Sequence, residues 1–162
     1  MQISATGLNL IRQSEGFRST AYKDIAGILT IGYGHRIEPQ ESFPAAITPR
    51  EAETLLARDV SIAEQSVSRL VRVPLNQGQF DALVDFVFNL GCERLAGSTL
   101  LRVLNGRKYH LAAAQLLLWD HAAGQINPAL SRRRHAEFQL FTAAQAPTPS
   151  AQELASLSPS AP

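Results

Sequence analysis

The feature that most constrains the fold is a change of pattern at residues 20–35, TAYKDIAGILTIGYGH, where β-branched and aromatic residues are interspersed with Gly27, Gly32 and Gly34. Such side chains favour extended backbone and the glycines supply turns, so the stretch predicts a short β-hairpin or small sheet, the one convincing β region of the chain. Ahead of it, Ile3, Leu8, Leu10 and Ile11 give a short amphipathic helix from about residue 5. Thr6 offers its N-cap, and Gly16 stops it just after Ser14 and Glu15. Residues 37–47, IEPQESFPAAI, carry two prolines and no usable period, which reads as an irregular connection.

Beyond this point the pattern is helical. Thr48-Pro49-Arg50-Glu51 is a helix start: Thr48 caps, Pro49 fits the first helical position and Glu51 completes a capping box. Ala52, Leu55, Leu56, Ala63, Val67 and Leu70 then form one apolar stripe running to about Val71. Asn76 and Gln79 make a second capping signature before Phe80, Leu83, Val84, Val87 and Phe88, with Gly91 as the stop. Further helices fit residues 98–105, 108–119 and 128–143. The expected architecture is α+β in one unit over residues 1–145: a small β lobe at about 16–47, a connecting helix at about 48–71, and an all-helical lobe at about 74–143. Residues 146–162 read as a disordered tail, since PTPSAQELASLSPSAP holds four of the nine prolines and too little apolar surface to offset ordering entropy.

Composition narrows the function without naming it. The chain has 162 residues, 45% apolar, with a net charge of only +1, so no nucleic-acid partner is implied. Residues 82–162 hold seven basic and five acidic side chains, a mild bias that suits an anionic polymer. Cys92 is the single cysteine, as expected of a protein made in a reducing cytoplasm and held by its core. Residues 1–14 show no signal-peptide pattern, and no run approaches the roughly 18 apolar residues of a membrane span. No stable membrane insertion is expected, and a substrate outside the membrane would need a separate release route.

Glu15 and Asp24 are the candidate pair for glycoside hydrolysis, in which one carboxyl donates a proton to the leaving oxygen and a second activates water or attacks the sugar. At a helix C-terminus, the macrodipole and partial burial beside Phe17 or Ile31 would both disfavour the ionised Glu15, which suits a general acid. If the hairpin is centred on Gly27, Asp24 falls opposite Thr30, with Cβ atoms roughly 5 Å apart and room for one shared water. Residue pattern alone leaves the ordinary reading open, because a Glu, an Asp and a Thr near a hairpin are usually solvated or turn-forming.

The ordered set Glu15-Gly16-Phe17-Arg18, Tyr22-Lys23-Asp24, Gly27 and Thr30-Ile31-Gly32-Tyr33-Gly34-His35 resembles the active-site segment of the bacteriophage-type lysozymes, glycoside hydrolase family 24. The likeness continues through Gln79-Phe80-Asp81-Ala82-Leu83-Val84, Phe88-Asn89-Leu90-Gly91, Ser98-Thr99-Leu100-Leu101, Trp119, and Arg133-Arg134 with Glu137, covering roughly residues 5–142. The resemblance implies a lysozyme-like fold with a cleft between a small β lobe and a helical lobe. It implies Glu15 as general acid, Asp24 as the group activating or stabilising across the sugar, and Thr30 as the water-positioning hydroxyl. It also implies that a basic residue near Arg133 approaches Glu15, which would favour the ionised form and oppose the dipole and burial effects. The expected activity is muramidase cleavage of the β-1,4 bond between N-acetylmuramic acid and N-acetylglucosamine in bacterial peptidoglycan, by direct water attack with inversion and without a cofactor. Family resemblance further suggests an endolysin of phage or prophage, accumulated in the cytoplasm as a monomer, released through a holin-type pore and acting on the wall. One departure is Ala129, where relatives often carry Gly before the Leu that precedes the paired arginines; a left-handed backbone is in doubt there.

The remaining candidates divide between site and scaffold. Gly34, Arg36 and Phe88 are candidate substrate contacts, although packing for Phe88 and solvent for Arg36 are the ordinary alternatives. His35 reads as a structural histidine bonded to a carboxylate, Trp119 as core, and Tyr33 fits either role. His110, His121, His135 and Cys92 lack recognised metal-ligand spacing, so no metal is expected. Arg132, Arg133 and Arg134 diverge by about 100° each on a helix, so they form no nucleic-acid face, and at least one should reach the cleft. Two rivals remain: a lytic transglycosylase, which needs no water activator, and a non-catalytic glycan-binding or phage-tail module on the same fold.

Overall fold

The structure is a computed structural model and describes residues 1–23, 27–43 and 45–143. The tail expected from residue 146 therefore lies outside the described residues. Helix α1, Ala5–Glu15, is capped by Ser4 rather than Thr6: the Ser4 hydroxyl accepts from the Gly7 N–H at 3.3 Å. Ser4 is itself held by Asp81, a buried carboxylate that takes its backbone N–H at 2.9 Å and its hydroxyl as well. Local pattern favours either residue as a cap; the distant acid decides. The helix stops at Gly16, whose φ of +69° returns its N–H to the Arg12 carbonyl.

The β region is a three-stranded antiparallel sheet, in the order β1 (Arg18–Lys23), β2 (Leu29–Gly32), β3 (His35–Arg36). Thr30 pairs with Tyr22 and Leu29 with Lys23, so the expected Asp24–Thr30 pairing is not the register adopted. The face-alternation rule is blind to this difference, because sliding a partner by two residues returns every side chain to the same face. What fixes β2 is tertiary: Ile31 is fully buried against Ile47 and Ala52, and pairs on its other side with His35.

Helix α2, Pro49–Leu70, begins with the expected Thr48–Glu51 capping box. Its stripe serves two cores. Ala52 and Leu55 close the small cluster under the sheet, while Leu56, Val60, Ala63 and Val67 enter the main core. Helix α3, Gln77–Leu90, carries the Asn76–Gln79 capping box and is buried without interruption from Phe80 to Val87. At Gly78 a β-carbon would sit 2.3 Å from the Leu140 carbonyl oxygen, so glycine permits the close approach of the last helix.

Short helix α4 (Cys92–Ala96) is additional to the expected elements, α5 spans Thr99–Asn105, and α6 (Tyr109–Leu116) ends earlier than the expected residue 119. The second lobe is not all helical: His121–Ala122 (β4) and Gln125–Ile126 (β5) form a small antiparallel ladder around Ala123 and Gly124, both at positive φ. Two-residue strands are too short to leave a period-two signature. Trp119 packs edge-on to Phe86, with centroids 5.3 Å apart, in the core role expected for it. Helix α7, Pro128–Thr142, is capped by Asn127 and contains Ala129 in its first turn, so this position needs no left-handed backbone. No helix among the described residues is long and apolar enough to cross a membrane.

Candidate active site

Glu15 is the last residue of α1, and chain reversal at Gly16 leaves its side chain 22% exposed at the junction of sheet and helices. Two groups define its surroundings. From the sheet side, Gly34 (φ +82°) brings bare backbone against the carboxyl. From α7, Arg133 Nη1 donates to Glu15 Oε1 at 2.6 Å. The other edge of the same guanidinium holds Asp85 of α3 through two bonds, Nε to Oδ2 at 2.9 Å and Nη2 to Oδ1 at 2.8 Å. Burial disfavours the Arg133 charge, but Asp85 and Glu15 more than offset it, leaving the guanidinium a stronger base than usual. This is the arginine approach that the resemblance implied.

A second pair lies beside the first. Arg134 and Glu137 are completely buried, with Nη2 and Oε1 2.7 Å apart, outside hydrogen-bonding angles. Nη2 instead donates to Asn89 Oδ1 at 2.9 Å, and the guanidinium lies 5.1 Å above the Phe86 ring. Burial first, and then the neighbouring Asp85 charge, push Glu137 well above the usual carboxyl range.

Thr30 is buried, and its hydroxyl donates to the Ile28 carbonyl at 3.1 Å, which leaves the oxygen's acceptor capacity available. Asp24 lies outside the described residues. Gly34, Arg36 and Phe88 come together on one open groove of about 460 Å³ between the β3 turn, α2 and the end of α3. Glu15, Asn89, Arg132 and Arg133 line an adjoining recess of about 420 Å³ on the α1–α7 side. Gly34 lines the first and Glu15 the second, and the two lie so close that a β-carbon on residue 34 would crowd the Glu15 carboxyl.

His35 has the structural role expected of it. Its Nδ1 meets Asp59 Oδ2 at 2.8 Å and its Nε2 meets Glu41 Oε2 at 2.9 Å, fastening the β3 turn to α2. Arg58 reaches Glu41 at 2.6 Å. The Glu38 backbone N–H, Arg58 and His35 together hold the Glu41 carboxyl down at about 2.

Sequence reasoning missed Asp85, Asn89, Asp59 and Glu41. A signal existed for the first: Asp81 and Asp85 stand four apart in the otherwise apolar run of residues 80–88, and buried acids require buried partners.

Residues 12–137 match the phage lysozyme family. The chain is 44% identical to the endolysin of Salmonella phage P22 over 137 residues, covering 83% of this chain and 94% of that one. It is 40% identical to the endolysin of Bacillus phage B103 over 146 residues, covering 87% of this chain and 54% of that longer protein. Among solved structures, the muramidase domain of SpmX from Asticaccaulis excentricus superposes with a TM-score of 0.80 at 37% identity, covering 88% of this chain and 99% of that one. A P22 lysozyme variant superposes with a TM-score of 0.76 at 41% identity, with the same coverage. The fold is thus the lysozyme-like α+β class. The chain belongs to the phage lysozyme family.

Proposed function

We propose that this endolysin-type cell-wall hydrolase cleaves the β-1,4 bond between N-acetylmuramic acid and N-acetylglucosamine in bacterial peptidoglycan, with Glu15 as general acid. The observation that carries the reading is the seat of Glu15: a partly exposed carboxyl where two grooves meet, backed by a buried arginine and faced on the sheet side by the glycine backbone of residue 34. A glycan laid along the grooves brings one glycosidic oxygen to that carboxyl. Gly34, Arg36 and Phe88 are the walls it would touch.

Asp24 and Thr30 supply the second half of the chemistry. A water that donates one hydrogen bond to the Thr30 oxygen and one to the Asp24 carboxylate keeps a lone pair for the anomeric carbon. The assignment of Asp24 rests on its place in the sequence motif. Release through a holin-type pore and action as a monomer belong to the same reading.

The test is clearing of chloroform-permeabilised Gram-negative cells by the wild type and by Glu15→Gln, with circular dichroism on both. Clearing by the wild type alone supports the assignment, whereas equal clearing removes Glu15 as the essential acid. Anhydro-muramyl ends as the only products would make the protein a lytic transglycosylase. Co-sedimentation with walls that are never cleared would make it a binding module.

A further inference from the structure

We propose that Asp85 is a positioning residue for this reaction: it fixes the plane of the Arg133 guanidinium so that one nitrogen is presented to Glu15 and the acid is held in a single orientation. The proposal rests on the cleavage reading above and extends it to a side chain beneath the cleft surface.

The argument begins with geometry. An arginine side chain is long, and one bond to Glu15 would leave its plane free to turn about Cδ–Nε and its two Nη groups free to exchange about Nε–Cζ. Here two nitrogens of the fork are matched to the two oxygens of one carboxylate, the bidentate arrangement that sets both distance and plane. Nη1 alone is left over, and it points to Glu15 Oε1 at 2.6 Å. Asp85 is fully buried on a helix buried all round, so the anchor shares the rigidity of the main core. Glu15, by contrast, is the partly exposed terminal residue of its helix. Rigidity therefore passes from α3, through α7, to a side chain that would otherwise move.

Charge works in the same direction. Asp85 sets a negative group against the far edge of the guanidinium, which limits the net attraction Arg133 exerts on the Glu15 carboxylate. With Oε1 held by Arg133, Oε2 on the Gly34 side is the oxygen that carries the proton to the glycosidic oxygen. Asp85 cannot itself meet the glycan, because its side chain has no exposed surface.

The test separates positioning from scaffolding by comparing kcat with KM on soluble, uncross-linked peptidoglycan chains, well below each variant's unfolding midpoint. Asp85→Ser should lower kcat by about tenfold to a hundredfold, the scale of a misplaced catalytic group, and leave KM within about twofold. Asp85→Asn, which retains the shape and one acceptor oxygen, should recover part of the loss. Arg133→Lys, which keeps the charge beside Asp85 but not the fork, should also lose kcat. Folded Asp85 variants with wild-type kcat, or with a change in KM alone, would overturn the proposal.

A measurement independent of turnover is rotation of the Arg133 terminal nitrogens by nitrogen-15 NMR in the wild-type protein. Separate, slowly exchanging Nη signals are expected, and free rotation would overturn the clamp even if the folded variants were inactive. A wild type that leaves walls intact while showing the restricted arginine would sink the cleavage reading alone.

Discussion

Gly34 leaves no room for a side chain beside Glu15: a β-carbon at residue 34 would lie 3.0 Å from Glu15 Oε2, on a backbone whose φ is +82°. The glycine therefore answers two demands, a turn that L side chains resist and an acid that tolerates no neighbour.

Gly34→Ala should lose about 1–2 kcal/mol from the left-handed backbone alone, and clearing activity should fall further than stability because the added methyl displaces the carboxyl. Thermal melts beside clearing rates check this, and unchanged clearing by a destabilised variant would confine the role of Gly34 to the turn.

Arg133→Met should cost more in folding than in any surface contact. It leaves Asp85 buried without its cation, a loss of roughly 3–5 kcal/mol for a broken interior pair. Urea denaturation gives the number, and a loss below about 1 kcal/mol would show that Asp85 finds another partner or takes up a proton.

Thr30→Val keeps the shape and removes the hydroxyl. Among the described residues the hydroxyl bonds to Ile28, which predicts a stability change of about 1 kcal/mol, while activity should drop by at least tenfold if the oxygen holds water. Wild-type clearing by this variant would exclude that role.

Glu41 and Glu137 make opposite contributions to the pH dependence of stability. Glu41 is held at about 2 against an ordinary 4.5, so the folded state binds fewer protons, and its contribution is present above 4.5 and lost as pH falls towards 2. Glu137 is pushed up from 4.5, so its folded state retains a proton, and stability is lost as pH rises above 4.5. Denaturation midpoints against pH should flatten on the acid side in Glu41→Gln and on the alkaline side in Glu137→Gln. Parallel curves for wild type and variants would refute both assignments.

Much of the fold was legible because its signals are local. The Thr48–Glu51 and Asn76–Gln79 boxes each satisfy backbone N–H groups within one turn, so their spacing alone locates α2 and α3. Where two local solutions are equivalent, the sequence is mute: Ser4 and Thr6 are both competent caps, and the two hairpin registers bury the same faces. The site divides in the same way. Glu15, Thr30, Gly34 and Arg133 stand in readable motifs, whereas the partnership of Asp85 with Arg133 joins residues 48 apart and exists only once α3 and α7 have packed.

The two cores along α2 imply two levels of cooperativity. Among the described residues the sheet is anchored by a cluster of three buried apolar residues, Ile31, Ile47 and Ala52, with the His35 bracket to Asp59 and Glu41 as reinforcement. The main core is several times larger and runs through α3 without a break. Amide protons of β1–β3 should therefore exchange through a local opening that leaves α3 protected, at a fraction of the global unfolding free energy. If that exchange pattern is observed, the sheet side of the cleft behaves as a separate foldon borne on α2. Admitting a long, branched polymer then requires only that the weaker unit yield, while the stronger one keeps Arg133 in register.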